Sequence, residues 1–95
     1  MGYRLSSLAE RDFIDLIAFG FERFGKTQTE KFAEELKRTF IRIAQFPLAN
    51  RDRSEMNPSA RIQIFQNYLI IYRIEQDGIF ILRIVHGHYD WQNEL

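Results

Sequence analysis

Ninety-five residues are enough for one domain, residues 1–95, and leave no room for a second core. Lys plus Arg and Asp plus Glu number 13 each, a balance that argues against a generic nucleic-acid coat but not against a small local basic patch. The absence of cysteine excludes disulfides, thiolate zinc sites and a cysteine nucleophile, while a 45% hydrophobic fraction with nine Phe excludes disorder and leaves apolar area that can wait for a partner. The N-terminal stretch lacks the pattern of a signal peptide, and no uncharged apolar run nears the ~20 residues of a membrane helix, so the cytoplasm is the expected compartment.

Tyr3 to Leu5 reads as a short edge strand. Ser7 and Glu10 have the S-x-x-E spacing of a capping box, and Ala9, Phe13, Leu16, Ile17, Gly20 and Phe24 then recur at helical spacing, widened by Ile14 and Phe21. This predicts a helix from Ser7 to Phe24, stopped by Gly25. Thr27 and Glu30 repeat the capping spacing, and Phe32, Leu36, Phe40 and Ile43 form a second stripe ending near Gln45, before Pro47. A connection this short predicts an antiparallel helical hairpin.

Leu48 to Ala60 is polar and reads as a solvated connector, with ordering on a partner as the alternative. From Arg61 the period becomes two. Arg61 to Phe65, Tyr68 to Glu75 and Ile79 to His86 are the expected strands, with turns at Gln66-Asn67 and Asp77-Gly78. The fold class is α+β: an antiparallel sheet of three to four strands against an N-terminal helical hairpin.

With Asp77-Gly78 as a two-residue loop, Tyr72 stands opposite Arg83 and Arg73 opposite Leu82. Arg83 then shares a face with Tyr68, Ile70, Tyr72, Ile74 and Ile81, and Arg73 shares the other with Leu69, Ile71, Leu82 and His86. Both faces are apolar, and the helices can cover only one, so the other is sheltered by the chain ends or is a docking surface. Arg83 has two open roles, an internal tie to a carboxylate or carbonyl and a recognition group. His86, His88 and Asp90 form an H-x-H-x-D series, but two histidines without cysteine lack a full ligand set; a strand-end His hydrogen-bonded to backbone is the simpler reading. Ser6, Ser7, Ser54 and Ser59 sit at a cap or in the loop without a nucleophile elbow, and no phosphate loop is present.

The segments YRLSSLAERDFIDL, ERFGKTQTEKF, FPLANR and ARIQIFQNYLIIYRIEQDGIFILRIVHGHYD resemble, in order and spacing, a ParE-type toxin of the RelE/ParE toxin–antitoxin superfamily (plasmid stabilisation proteins). The Tyr72-Arg73 pair and the Arg83-x-x-His86-Gly87 ending are the most specific parts, and Ser7 departs from the Pro often found at the helix start. The resemblance implies two helices on an antiparallel sheet and a toxin held inactive by a ribbon-helix-helix, ParD-like antitoxin, in a hetero-oligomer that meets DNA only through the antitoxin. It implies DNA gyrase as the target, no cofactor and no catalytic residue. RelE-type relatives instead cleave messenger RNA on the ribosome, with lysines and an arginine around the middle strands. Here Ala60, Ile62 and Leu69 occupy the corresponding stretch, which favours the gyrase-directed branch. A non-toxic antitoxin-binding co-repressor is a third alternative. The residues assigned to partner or target binding are Arg61, Tyr72, Arg73, Arg83, His86, His88 and Trp91, the last expected to pack on the sheet.

Overall fold

The computed structural model describes residues 2–88. A strand β1 (Gly2–Leu5) leads into a long helical element α1 (Ser7–Gln45), a 3-10 turn at Pro47–Ala49, and strands β2 (Arg61–Phe65), β3 (Tyr68–Glu75) and β4 (Gly78–His86). The sheet order is β1-β4-β3-β2, with β1 parallel to β4 and the other pairs antiparallel. Among the described residues no helix is long and apolar enough to cross a membrane.

Helix runs from Ser7 to Gln45 with one break, at Gly25 (φ 81°, ψ 176°), between the two helical stretches that the sequence predicts. Positive φ is cheap only for glycine, so the break falls there and the element turns back. Phe13 and Phe40 lie 6.4 Å apart between ring centroids, where a straight helix at 1.5 Å per residue would hold them about 40 Å apart. The N-cap is Ser6 rather than Ser7: its Oγ accepts the Ala9 N–H at 3.0 Å and donates to the Leu82 carbonyl at 2.7 Å. Thr27 does not cap the second arm, and the nearby Thr29 hydroxyl bonds back to the Gly25 carbonyl at 2.7 Å.

The two arms lay Ala9, Leu36, Phe40, Ile43 and Ala44 on Ile70, Tyr72, Ile79, Ile81 and Ile84, all buried. Phe40 stands at the junction, its ring also 5.2 Å from that of Tyr3 on β1. The other sheet face carries a second buried cluster of Ala60, Ile62, Ile71 and Val85, flanked by Leu69 and Leu82. Met56 packs on it from the polar loop, and an Arg53–Ala60 bridge pins that loop back. The loop is thus a partial lid over the second face rather than a free connector.

The β3–β4 turn differs from the expected one. Glu75 pairs with Gly78, so the loop residues are Gln76 and Asp77. Gly78 opens β4 because the β1 backbone crowds it: a Cβ there would stand 2.1 Å from the Gly2 carbonyl oxygen. Arg73 therefore faces Phe80 rather than Leu82, and a bulge after Ile71 sets Arg83 opposite Ile71 rather than Tyr72. The bulge adds one residue to β4 and shifts its alternation. Ile81 and Ile84 both face the helices, Val85 faces away, and His86 pairs with Tyr68 instead of joining the Arg73 face.

At the bulge, Arg83 Nε donates to Asp12 Oδ2 at 2.8 Å and Nη2 to Oδ1 at 3.1 Å; the same Oδ2 accepts the Ile84 N–H at 2.9 Å. The two side chains are only 10% and 15% exposed. This is an internal tie to a carboxylate, one of the two roles that the sequence leaves open for Arg83.

Two outcomes are expected in urea unfolding. Phe40→Ala should cost about 3–5 kcal/mol, since three elements meet on that ring. Arg83→Ala should cost about 3–5 kcal/mol by leaving Asp12 uncompensated, and adding Asp12→Ala should cost clearly less than the sum of the single changes. An unchanged midpoint for Arg83→Ala would return that residue to a recognition role.

Candidate partner-binding surfaces

A concavity lies where α1 reverses. Leu16, Phe19 and Phe24 of the first arm, Phe32 of the second, and Tyr68 beyond the Gln66-Asn67 turn line a cleft of about 410 Å³. The reversal at Gly25 ends the stripe that the sheet can cover, which leaves Phe19 48% and Phe24 58% exposed. Their rings meet edge to face at 6.4 Å, with the Arg23 guanidinium 5.4 Å from the Phe19 ring. Phe32 is better supported, edge-on to Phe65 at 5.6 Å and to Tyr68 at 5.9 Å. Lys31 and Glu35 add charge at the lining. Rigid aromatic walls with a few polar groups suit apolar side chains of another molecule.

The residues singled out by sequence do not form one site. Tyr72 is fully buried; its hydroxyl donates to the Pro47 carbonyl at 2.9 Å and accepts from the Asn50 amide at 3.3 Å. Arg61, opposite Tyr72, donates to the Asn50 carbonyl. Those three contacts and a 2.9 Å bond from Asn50 to Gln63 hold the exit of α1 against β2 and β3. Arg83 is tied to Asp12. Arg73 is exposed, on the face away from the helices.

His86 and His88 lie together at the far end of β4, exposed, with ring centroids 5.2 Å apart and Tyr68 edge-on to His86 at 5.7 Å. His86 Nδ1 accepts the His88 N–H at 3.3 Å, a strand-end histidine on backbone. Among the described residues no group of three or more His, Asp or Glu is placed to hold a metal. Asp90 and Trp91 lie outside the described residues.

Sequence reasoning missed the aromatic cleft because it assigned Phe24 and Phe21 to the buried stripe. The signal was the width of that stripe: with Ile14 and Phe21 included it covers more of the helix than a sheet can meet, and both are exposed, at 65% and 46%. Ala60 and Ile62 are buried in an apolar cluster without a cation among its members, and Leu69 packs against it, partly buried.

Comparison with known proteins agrees with this architecture. A family model described as "ParE toxin of type II toxin-antitoxin system, parDE" matches residues 3–91. Toxin ParE1 of Mycobacterium tuberculosis is 27% identical over 94 residues, spanning 98% of this chain and 96% of that toxin. Toxin ParE3 of Caulobacter vibrioides is 30% identical over 60 residues, 63% of this chain and 60% of that toxin. Among solved structures, a chain of the "Chromosomal ParDE TA system from P. aeruginosa" superposes with a TM-score of 0.76 at 17% identity, covering 90% of this chain and 95% of that one. The model match over almost the whole length decides the assignment: the chain belongs to the ParE toxin family of type II toxin–antitoxin systems.

Proposed function

We propose that this toxin arrests growth by binding DNA gyrase in the cytoplasm, without chemistry of its own, and that a ParD-like antitoxin neutralises it by covering the aromatic cleft at the α1 reversal. The observation that carries the first part is the packing of Ala60, Ile62 and Leu69. RNA cleavage needs cations on the developing phosphorane and a general acid or base at the 2′-hydroxyl. The stretch corresponding to the basic set of RNA-cleaving relatives is here alkyl and held in an apolar cluster. Replacing such cations by alkyl groups removes several kcal/mol of transition-state stabilisation. The antitoxin reading is supported by the name ParDE of the superposed assembly and by the cleft itself. Half-exposed Phe19 and Phe24 on a helical surface fit an amphipathic segment that folds as it binds.

Expression of this chain alone should stop growth, and co-expression of the ribbon-helix-helix protein encoded beside it should restore growth. Purified toxin should inhibit supercoiling by gyrase. Intact supercoiling together with cleaved ribosomal messages in a toeprint would replace this reading by the RNA-cleaving one, and expression without growth defect would replace it by a co-repressor role. Phe24→Glu should leave arrest intact while weakening antitoxin binding by about 2–4 kcal/mol, read by calorimetry. Equal affinity would move the antitoxin site elsewhere.

A further inference from the structure

The sheet face turned away from the helices carries a second surface unlike the cleft. Arg4 on β1, Phe80 on β4 and Arg73 on β3 stand side by side in register. Their sequence neighbours Tyr3, Leu5, Ile79, Ile81 and Tyr72 belong to the helix-side core, so alternation puts all three on the far face. The Arg4 guanidinium sits 3.9 Å from the Phe80 ring centroid and that of Arg73 5.0 Å from it. Glu75 lies between them, one carboxylate oxygen 2.9 Å from Arg4 and the other 3.2 Å from Arg73. Arg53, bridged to Ala60 on the same face, extends the line; Glu55 is close to it but pairs with Arg51 at 2.9 Å. The Arg51 hydrogen bond holds the Glu55 carboxyl below its ordinary pKa.

Three arginines against one carboxylate leave a positive strip on a chain of zero formal charge. Arg4 gives Glu75 one of its five N–H donors, and its side chain stays 64% exposed, that of Arg73 47%. The ring and Glu75 gather both guanidinium groups at one place, where each keeps N–H donors free for the bidentate carboxylate contacts that arginine favours. Glu75 already occupies that position. Neighbouring strands lie about 4.8 Å apart, which places Arg4 and Arg73 about 10 Å apart at the backbone. An extended peptide presents alternate side chains about 7 Å apart, within reach of both. Nucleic acid fits less well, because the ring that would stack a base is already covered by guanidinium.

We propose that the Arg4–Phe80–Arg73 row is a docking site for an acidic, extended segment of a partner protein, with Glu75 as an internal occupant that the partner's carboxylates displace. The site is separate from the aromatic cleft and stands whether or not gyrase is the target.

The test uses the full chain and a fluorescent alternating Glu-Ala peptide of roughly ten residues, titrated by anisotropy at about 0.05 M salt, with a Gln-Ala peptide and single-stranded oligothymidine as comparison probes. Saturable binding of the Glu-Ala peptide should weaken about tenfold in Arg73→Gln and in Arg4→Gln, and should not change in Arg38→Gln on the helical side. Glu75→Gln should tighten it about threefold to tenfold, the opposite of what loss of a structural ion pair would do. Arg4→Lys, which keeps the charge, should bind more weakly than the native chain, and thermal melting of each variant separates lost binding from lost fold. No saturable binding, a Glu75→Gln variant that binds equally or less well, or oligothymidine binding more tightly with the same arginine dependence would each overturn the proposal.

Discussion

The Asp12 carboxylate closes an edge that the rest of the sheet depends on. β1 ends at Leu5 because Ser6 leaves the sheet to cap α1, yet β4 continues to His86 with its outer edge uncovered. The Ile84 N–H would otherwise point into a gap between helix and sheet, and an unpaired buried amide costs about 1–3 kcal/mol. Asp12, one turn or so into α1, accepts that N–H and is neutralised by Arg83 from the same strand. One side chain thus does the work of a missing strand, fixes where the first arm crosses the sheet, and holds the bulge that re-phases β4.

The re-phasing has consequences beyond the bulge. Had β4 kept one alternation, Arg83 and Val85 would face the helices and Ile84 would face away. With one residue added, Ile84 completes the helix-side core and Val85 the opposite cluster, so both faces of a small sheet are apolar and both are covered, one by α1 and one partly by the loop at Met56. Its own covering leaves two places open. The aromatic cleft at the α1 reversal presents half-exposed rings, and the arginine row on the far face presents cations. The two surfaces differ in chemistry, and the fold keeps them apart on opposite sides of the sheet.

The strands were the most legible part of the chain. β2 and β3 have the boundaries that period two and the Gln66-Asn67 turn indicate, and β4 begins one residue early. Gly25 as the breaking point was legible too, since a glycine between two apolar stripes is where backbone freedom is cheapest. The family was legible from motif order over nearly the whole length. The candidate site was not. Tyr72, Arg61 and Arg83 stood out as polar groups in apolar runs, and each is absorbed by a partner brought from elsewhere in the chain: Pro47 and Asn50 for the first two, Asp12 for the third.

By itself, then, the sequence determined the element types, the order of strands and turns, and the excess of apolar surface, because these follow from local periodicity and backbone preference. The register of β3 on β4, the face on which each arginine lies, and which aromatic rings stay in solvent were decided only by tertiary structure. In the run IFILRIV every position is apolar except Arg83, so no alternation marks the bulge, and hydrophobicity cannot tell one register from the next. What chooses is the pairing of Gly78 with Glu75, the close approach of Gly2, and a carboxylate that lies 71 residues from its guanidinium in the chain.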